Sequence, residues 1–157
     1  MAAALTSNTF SIFSGIEMKT EIVSSSDARL LKFDLTRPDI LEALKRLEVI
    51  SSLWKDWDSY GAEPPARAAI FAGQKFIASL NRLQKAAPFF VAPIPDGGIQ
   101  MEWQGQAGSL EVEIAPSGDS FNYLKVVGRG TTDRKSEEKH DVSPYHILEL
   151  IDSVILK

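Results

Sequence analysis

Residues 98–127 constrain this chain more than any other stretch. Ile99, Met101 and Trp103 alternate with Gln100, Glu102 and Gln104, and Leu110, Val112 and Ile114 alternate with Glu111, Glu113 and Ala115. A period of two is the pattern of a strand with one wet and one dry face. Three strands are expected, over residues 99–104, 110–115 and 121–127. The joints are Gly105-Gln106-Ala107-Gly108 and Pro116-Ser117-Gly118-Asp119, both rich in residues that tolerate turn dihedrals.

The pairing that keeps apolar faces together sets the expected register. Trp103 opposite Leu110 also brings Met101 to Val112 and Ile99 to Ile114. In the second hairpin, Leu110 opposite Val126 brings Val112 to Leu124. The apolar face is then Ile99, Met101, Trp103, Leu110, Val112, Ile114, Leu124 and Val126, with Asn122 as its one polar member. The opposite face carries Gln100, Glu102, Glu111, Glu113, Tyr123 and Lys125.

Helices are needed to roof the apolar side. Ile40, Leu41, Leu44, Leu47, Ile50 and Trp54 recur at helical spacing over residues 38–54, with Pro38 in the first turn and Asp39 and Glu42 near the positive end of the dipole. A second helix is expected over residues 65–85, with Ala69, Ile70, Gly73, Phe76, Ile77, Leu80 and Leu83 as its stripe. Its Ala and Gly content keeps it slim enough to lie close to the sheet or the first helix. A third, over residues 144–156, follows Ser143-Pro144 and turns Ile147, Leu148, Ile151, Val154 and Ile155 inward. Residues 89–93 read as a short extended piece. For residues 128–141, a fourth edge strand near 131–142 and a loop are both compatible with the charged composition. The expected fold is α+β, an antiparallel three- to four-stranded meander packed on one face by two or three helices. Residues 1–36 read as an N-terminal extension, with two strands that either extend the sheet or form a separate β-ribbon; residues 37–157 read as a single α+β domain.

Composition narrows the function classes. At 157 residues the chain can bury a sizeable core without a metal or disulfide. It has no cysteine, which removes thiolate chemistry and fits a reducing compartment. The net charge is −4, and the basic residues after residue 128 are diluted by acidic ones. Direct nucleic-acid binding is therefore not expected. No apolar run approaches the length of a membrane helix and no signal peptide is recognisable, so the expected location is cytoplasmic.

Motifs for catalysis are sparse. Gly118-Asp119-Ser120-Phe121 superficially matches the nucleophile block of GDSL-type esterases, yet it falls in a turn between strands, and Asp141 and His146 have the wrong spacing for the partners. His140 and His146 flank the start of the last helix and have no fixed relation, so no metal site is expected. No nucleotide-binding glycine loop is present, and no cofactor is expected. Glu102 and Glu111 become direct neighbours in the expected register, with Lys125 opposite Glu111. Such a pair is either a solvated charge ladder or, if desolvated, a site holding a shared proton. An open sheet face favours the ladder. Trp54, Trp57 and Tyr60 crowd one loop. A buried corner is expected there, with Asp58 bonding local amides; a pocket rim is the functional alternative.

Two blocks carry a resemblance. Trp57-Asp58-Ser59-Tyr60-Gly61-Ala62 and the later Asp96-Gly97-Gly98-Ile99-Gln100-Met101-Glu102-Trp103 resemble a family of small uncharacterised bacterial proteins that share a W-D-x-Y-G-A block followed by a D-G-x-I-x-x-E-W strand. The resemblance spans residues 38 to the C-terminus. It implies a bacterial or phage setting and groups Trp57, Asp58, Tyr60, Gly61, Glu102 and Trp103 in one constellation, with no activity attached. The block order suggests that the intervening helix returns Asp58 and Tyr60 to the sheet near Glu102.

The expected function is a non-catalytic protein-binding module that acts by occupying a partner's surface, in the manner of an antitoxin, an immunity protein or a defence inhibitor. Its expected binding residues are Trp57, Asp58, Tyr60, Glu102, Glu111, Glu113, Tyr123 and Lys125. The partner is a protein, with a basic surface the better match to an acidic chain, and a homodimer through the sheet is a variant of this view. The competing expectation is a small acid/base hydrolase using Asp58, Glu102 and Glu111 around Tyr60.

Overall fold

A computed structural model describes residues 37–128 and 130–155. The ribbon expected within residues 1–36 lies outside the described residues. The described elements are α1 (Pro38–Ser51), α2 (Arg67–Arg82), β1 (Phe90–Pro93), β2 (Ile99–Gln104), β3 (Gly108–Ile114), β4 (Phe121–Val127), β5 (Lys135–Val142) and α3 (Pro144–Ile155). The strands form one antiparallel sheet in the order β1-β2-β3-β4-β5. The fold is α+β as expected. The sheet has five strands rather than three or four, because the extended piece before Gly98 pairs with β2 and the charged stretch after Gly128 pairs with β4.

Both ends of α1 and the start of α3 have local causes. Pro38 occupies the first turn of α1, and the Arg37 guanidinium bonds the Asp39 carboxylate and the Lys85 carbonyl, the latter at 2.9 Å. α1 ends at Ser51, earlier than the spacing suggested. The Ser51 and Ser52 hydroxyls donate to the carbonyls of Glu48 and Val49, satisfying acceptors in the last turn. Trp54 consequently leaves the apolar stripe and is 84% exposed. α3 opens on Ser143, whose hydroxyl accepts the His146 amide as an N-cap.

All three helices cover one face of the sheet. Ile40, Leu47, Ile77, Leu80, Ile147 and Ile151 bury against Ile99, Met101, Trp103, Leu110, Val112 and Ile114. Gly73 permits the close approach of α2: a Cβ there would lie 3.1 Å from the Met101 methyl and 3.2 Å from a Leu47 methyl. The slimness of α2 thus serves its contacts with both α1 and the sheet. Phe76 meets Trp103 edge-on at 6.2 Å and Phe121 at 5.6 Å between centroids. The Trp103 indole N–H, buried with its ring, donates to the Ala86 carbonyl at 2.9 Å.

The first hairpin has the expected register: Ile99 faces Ile114, Met101 faces Val112 and Trp103 faces Leu110. The second is shifted by one residue. Leu110 faces Lys125, Val112 faces Tyr123 and Ile114 faces Phe121. The turn causes the shift: the Ala115 amide bonds the Ser120 carbonyl, and Gly118, at φ +76°, accepts the Pro116–Asp119 bend. Closing the hairpin there sends Phe121 and Tyr123 inward in place of Leu124. The inward pair are aromatic and bury more area than the alternative. Tyr123 is 2% exposed and Leu124 37% exposed. The expectations that Tyr123 and Lys125 lie on the open face, and that Lys125 faces Glu111, are corrected by this shift.

Candidate functional site

The face away from the helices is built by side-chain alternation alone. Registering the five strands places Phe90, Glu102, Glu111, Leu124 and Glu138 in one row across the sheet. At the usual strand spacing of about 4.8 Å the row is ~19 Å long. A second row beside it runs Ala92, Gln100, Glu113 and Asn122. At Asn122 the ladder is broken by a bulge in β5: Val142 faces Phe121 and Lys139 faces Tyr123, leaving two residues against one. Asp141 takes φ +53°, and its amide bonds the Asn122 side-chain oxygen at 3.2 Å. Glu138 lies opposite Leu124 in the unbroken part of the ladder, and His140 stands at the bulge. Together with Glu111, Glu113, Asn122, Tyr123 and Leu124 they line a shallow depression of about 130 Å³.

Glu102 and Glu111 are direct cross-strand partners, as the sequence indicated. Glu102 accepts the Gln100 side-chain amide at 2.8 Å. Burial, then the neighbouring Glu102 and Glu113 carboxylates, push the Glu111 carboxyl above the ordinary carboxylate range. His140 lies 3.3 Å from Glu138. Leu124 and Phe90, 37% and 41% exposed, add apolar surface among the acids. Among the described residues, no group of three or more His, Asp or Glu side chains is placed to hold a metal.

The aromatic loop is organised differently. Asp58 accepts the amides of Tyr60 and Ala62 at 2.8 and 3.1 Å, and these bonds, Tyr60 first, hold its carboxyl below the ordinary value. Asp56 accepts the Gly61 amide and donates its own to the Ala62 carbonyl. Residues Asp56, Ser59 and Gly61 all take positive φ. The loop is stitched to the β1–β2 turn through Glu63 to Pro95 and Ala66 to Gly97 backbone bonds. The expectation that Asp58 bonds local amides holds. The expected burial of its aromatics does not: Trp57 is half-buried with its N–H on the Glu63 carbonyl, but Trp54 and Tyr60 project into solvent, Tyr60 at 93% exposure. A loop whose acceptors are satisfied by its own amides is tied down without needing its rings in the core. The loop thus returns to the end of β1 and the start of β2, while Glu102 looks across the open face toward Glu111.

The remaining sequence candidates separate. The Tyr123 hydroxyl sits beneath α3, bonding Glu137 at 2.9 Å with the His146 ring nitrogen 3.5 Å away. Lys139 pairs with Glu137 at 2.9 Å. The Ser120 hydroxyl donates to Asp141, with His146 turned to Tyr123 and Glu149, so no serine triad assembles. Sequence reasoning missed Phe90, Leu124, Glu138 and His140 on the open face. Residues 135–142 are polar up to Val142 and carry no apolar alternation that could have placed the last two.

The class defined by this geometry is an α+β protein with a helical roof on one side of a five-stranded meander and, on the other, an acid-rich face that none of the described elements covers. No family model, curated protein or solved structure matches the chain. No helix among the described residues is long and apolar enough to cross a membrane.

Proposed function

We propose that the chain is a non-catalytic protein-binding module whose open sheet face covers a basic patch on a partner protein. The observation that carries this reading is the row Phe90–Glu102–Glu111–Leu124–Glu138. Three acids and two exposed apolar side chains share one row across the sheet, with one imidazole beside it. Like charges directly opposed on a sheet destabilise the free protein. Lys or Arg side chains from a partner would relieve that repulsion, while Phe90 and Leu124 supply apolar contact. Action by occupying a surface, as in an antitoxin, an immunity protein or a defence inhibitor of bacterial or phage origin, fits this geometry. The resemblance to the W-D-x-Y-G-A proteins is compatible with it and adds no activity. A homodimer stacked through the same face would set carboxylates against carboxylates, so a partner of opposite charge is the better match.

The hydrolase reading draws on the raised Glu111 carboxyl beside Glu102. It is weaker on geometry. The depression of about 130 Å³ is small against the ~300 Å³ at which small-molecule sites begin, and Asp58 is committed to its own loop.

The test is affinity capture from extracts of the encoding organism with the wild-type chain and with Glu102→Lys/Glu111→Lys. The reading expects a partner with a basic surface that binds the wild type, weakens with salt and is lost with the variant. A partner held equally by both proteins would place the interface elsewhere. Turnover of a small substrate that vanishes in Glu111→Gln would support the hydrolase instead.

A further inference from the structure

On the roofed side of the molecule, a second concave surface lies between α2, the start of α3 and the β3–β4 turn. It measures about 330 Å³ and contains none of the residues discussed above for the open face. Phe76, Phe121 and Leu148 form its apolar floor. Lys75 and Arg82 stand on its α2 side, and Tyr145, 69% exposed, on its α3 side. Neither Lys75 nor Arg82 forms an ion pair among the described residues; Lys75 instead lies 5.5 Å from the Phe71 ring. An apolar trough with unpaired cations along one wall calls for an apolar, acidic peptide segment.

The chain itself supplies one. We propose that residues 10–23 of the same chain dock in this groove. That segment contains Phe10, Ile12, Phe13 and Ile16, followed by Glu17 and Glu21, with Lys19 as its one cation. Its point of entry is fixed by the structure. Arg37 is tied to the Lys85 carbonyl just beyond the end of α2, and Arg82 and Leu83 line the groove at that same end. The chain preceding Arg37 therefore joins the fold beside one mouth of the groove. Residues 24–36 can bridge up to about 40 Å when extended. The stretch of α2 from Ala72 to Arg82 that lines the groove is about 15 Å long, so reach does not limit the contact. Docking would bury the apolar side chains on Phe76, Phe121 and Leu148 and bring Glu17 and Glu21 to Lys75 and Arg82. Tethering makes the encounter intramolecular, so modest contacts suffice.

The test is hydrogen exchange, followed by mass spectrometry, on the full-length chain. The proposal expects amides in residues 10–23 to exchange at least about ten-fold slower in the wild type than in Lys75→Glu/Arg82→Glu. Adding Glu17→Lys/Glu21→Lys to that variant should restore protection by swapping the charges. Phe13→Asp should abolish protection by itself. Amides of β2–β4 serve as the folding control and should not change. Fast exchange of residues 10–23 in the wild type would overturn the proposal, as would protection indifferent to both the groove variant and Phe13→Asp. Protection that grows with protein concentration would also overturn it, since the occupant would then be a second copy.

Discussion

The one-residue shift of the second hairpin decides which side chains of β4 support the fold, and it can be read from two alanine substitutions. In the structure Tyr123 is enclosed beneath α3, with its ring 5.7 Å from the His146 ring and its hydroxyl on Glu137. Truncating it removes an aromatic ring from a packed site and leaves a void; large aromatic-to-alanine changes of this kind cost about 3–5 kcal/mol. Leu124 lies on the open face beside Glu111 and Glu138. Its truncation loses part of a transfer term and leaves no cavity, because water fills the place, so about 1 kcal/mol is expected. The gap of at least ~2 kcal/mol corresponds to about 1 M in urea midpoint at a slope of ~2 kcal/mol per molar. Equilibrium urea unfolding of Tyr123→Ala and Leu124→Ala, with slopes checked for constancy, measures it directly. Tyr123→Phe separates ring from hydroxyl and should cost only about 1 kcal/mol for the lost bond to Glu137. If Leu124→Ala proves as damaging as Tyr123→Ala, then Leu124 and Val126 point inward, and both the register and the acidic row fall.

Other perturbations test the remaining parts. Glu111 has a raised carboxyl, so the folded state holds that proton more tightly than the unfolded chain; its contribution to stability is greatest below the unfolded carboxylate value and is lost as pH rises through the folded one. Glu111→Gln should therefore stabilise the protein slightly at pH 7, by about a few tenths of a kcal/mol once solvent screening is allowed for, and give no gain near pH 3, as read by thermal unfolding across pH. Asp58 has the opposite sign: its carboxylate is held low by the Tyr60 and Ala62 amides, so protection of those two amides from exchange should be full at neutral pH and fall in acid. Asp58→Ala should lose that protection and Asp58→Asn should keep most of it, since the side-chain oxygen remains. Gly105→Ala would set a Cβ 2.1 Å from the Val154 carbonyl oxygen; backbone cannot yield cheaply there, so a loss of at least about 2 kcal/mol is expected in denaturant unfolding, with α3's last turn exchanging faster.

Much of the architecture was legible because binary pattern and element period agree. The β2–β3 register follows from where Ile99, Met101 and Trp103 must point, and the three helical stripes follow from spacing alone. Failures came where a local hydrogen bond outranked pattern. β4 offers two inward sets, Phe121 with Tyr123 or Leu124 with Val126, and alternation cannot choose between them; the Ala115–Ser120 closure does. Trp54 looked like the next residue of a stripe until two serine hydroxyls ended the helix before it. The candidate site was half legible. Glu102 and Glu111 were paired correctly, but Glu138 and His140 join them from β5, whose charged sequence carries no apolar alternation to set its register. The loop at Trp57–Tyr60 showed the limit of residue type as a guide, since its aspartates organise the backbone and leave the Tyr60 ring in water.

Among the described residues, every strand of this sheet pairs only with the strand next to it in the chain. No crossover has to be threaded, so the sheet can assemble by successive hairpin closures, each over a short loop. α1 and α2 precede the strands in the chain, so the apolar faces that carry Leu47 and Phe76 are completed only once β2 and β3 are in place. A nascent chain released before about residue 114 would display two greasy helices without a floor, and early truncation should therefore yield aggregation rather than a smaller folded protein.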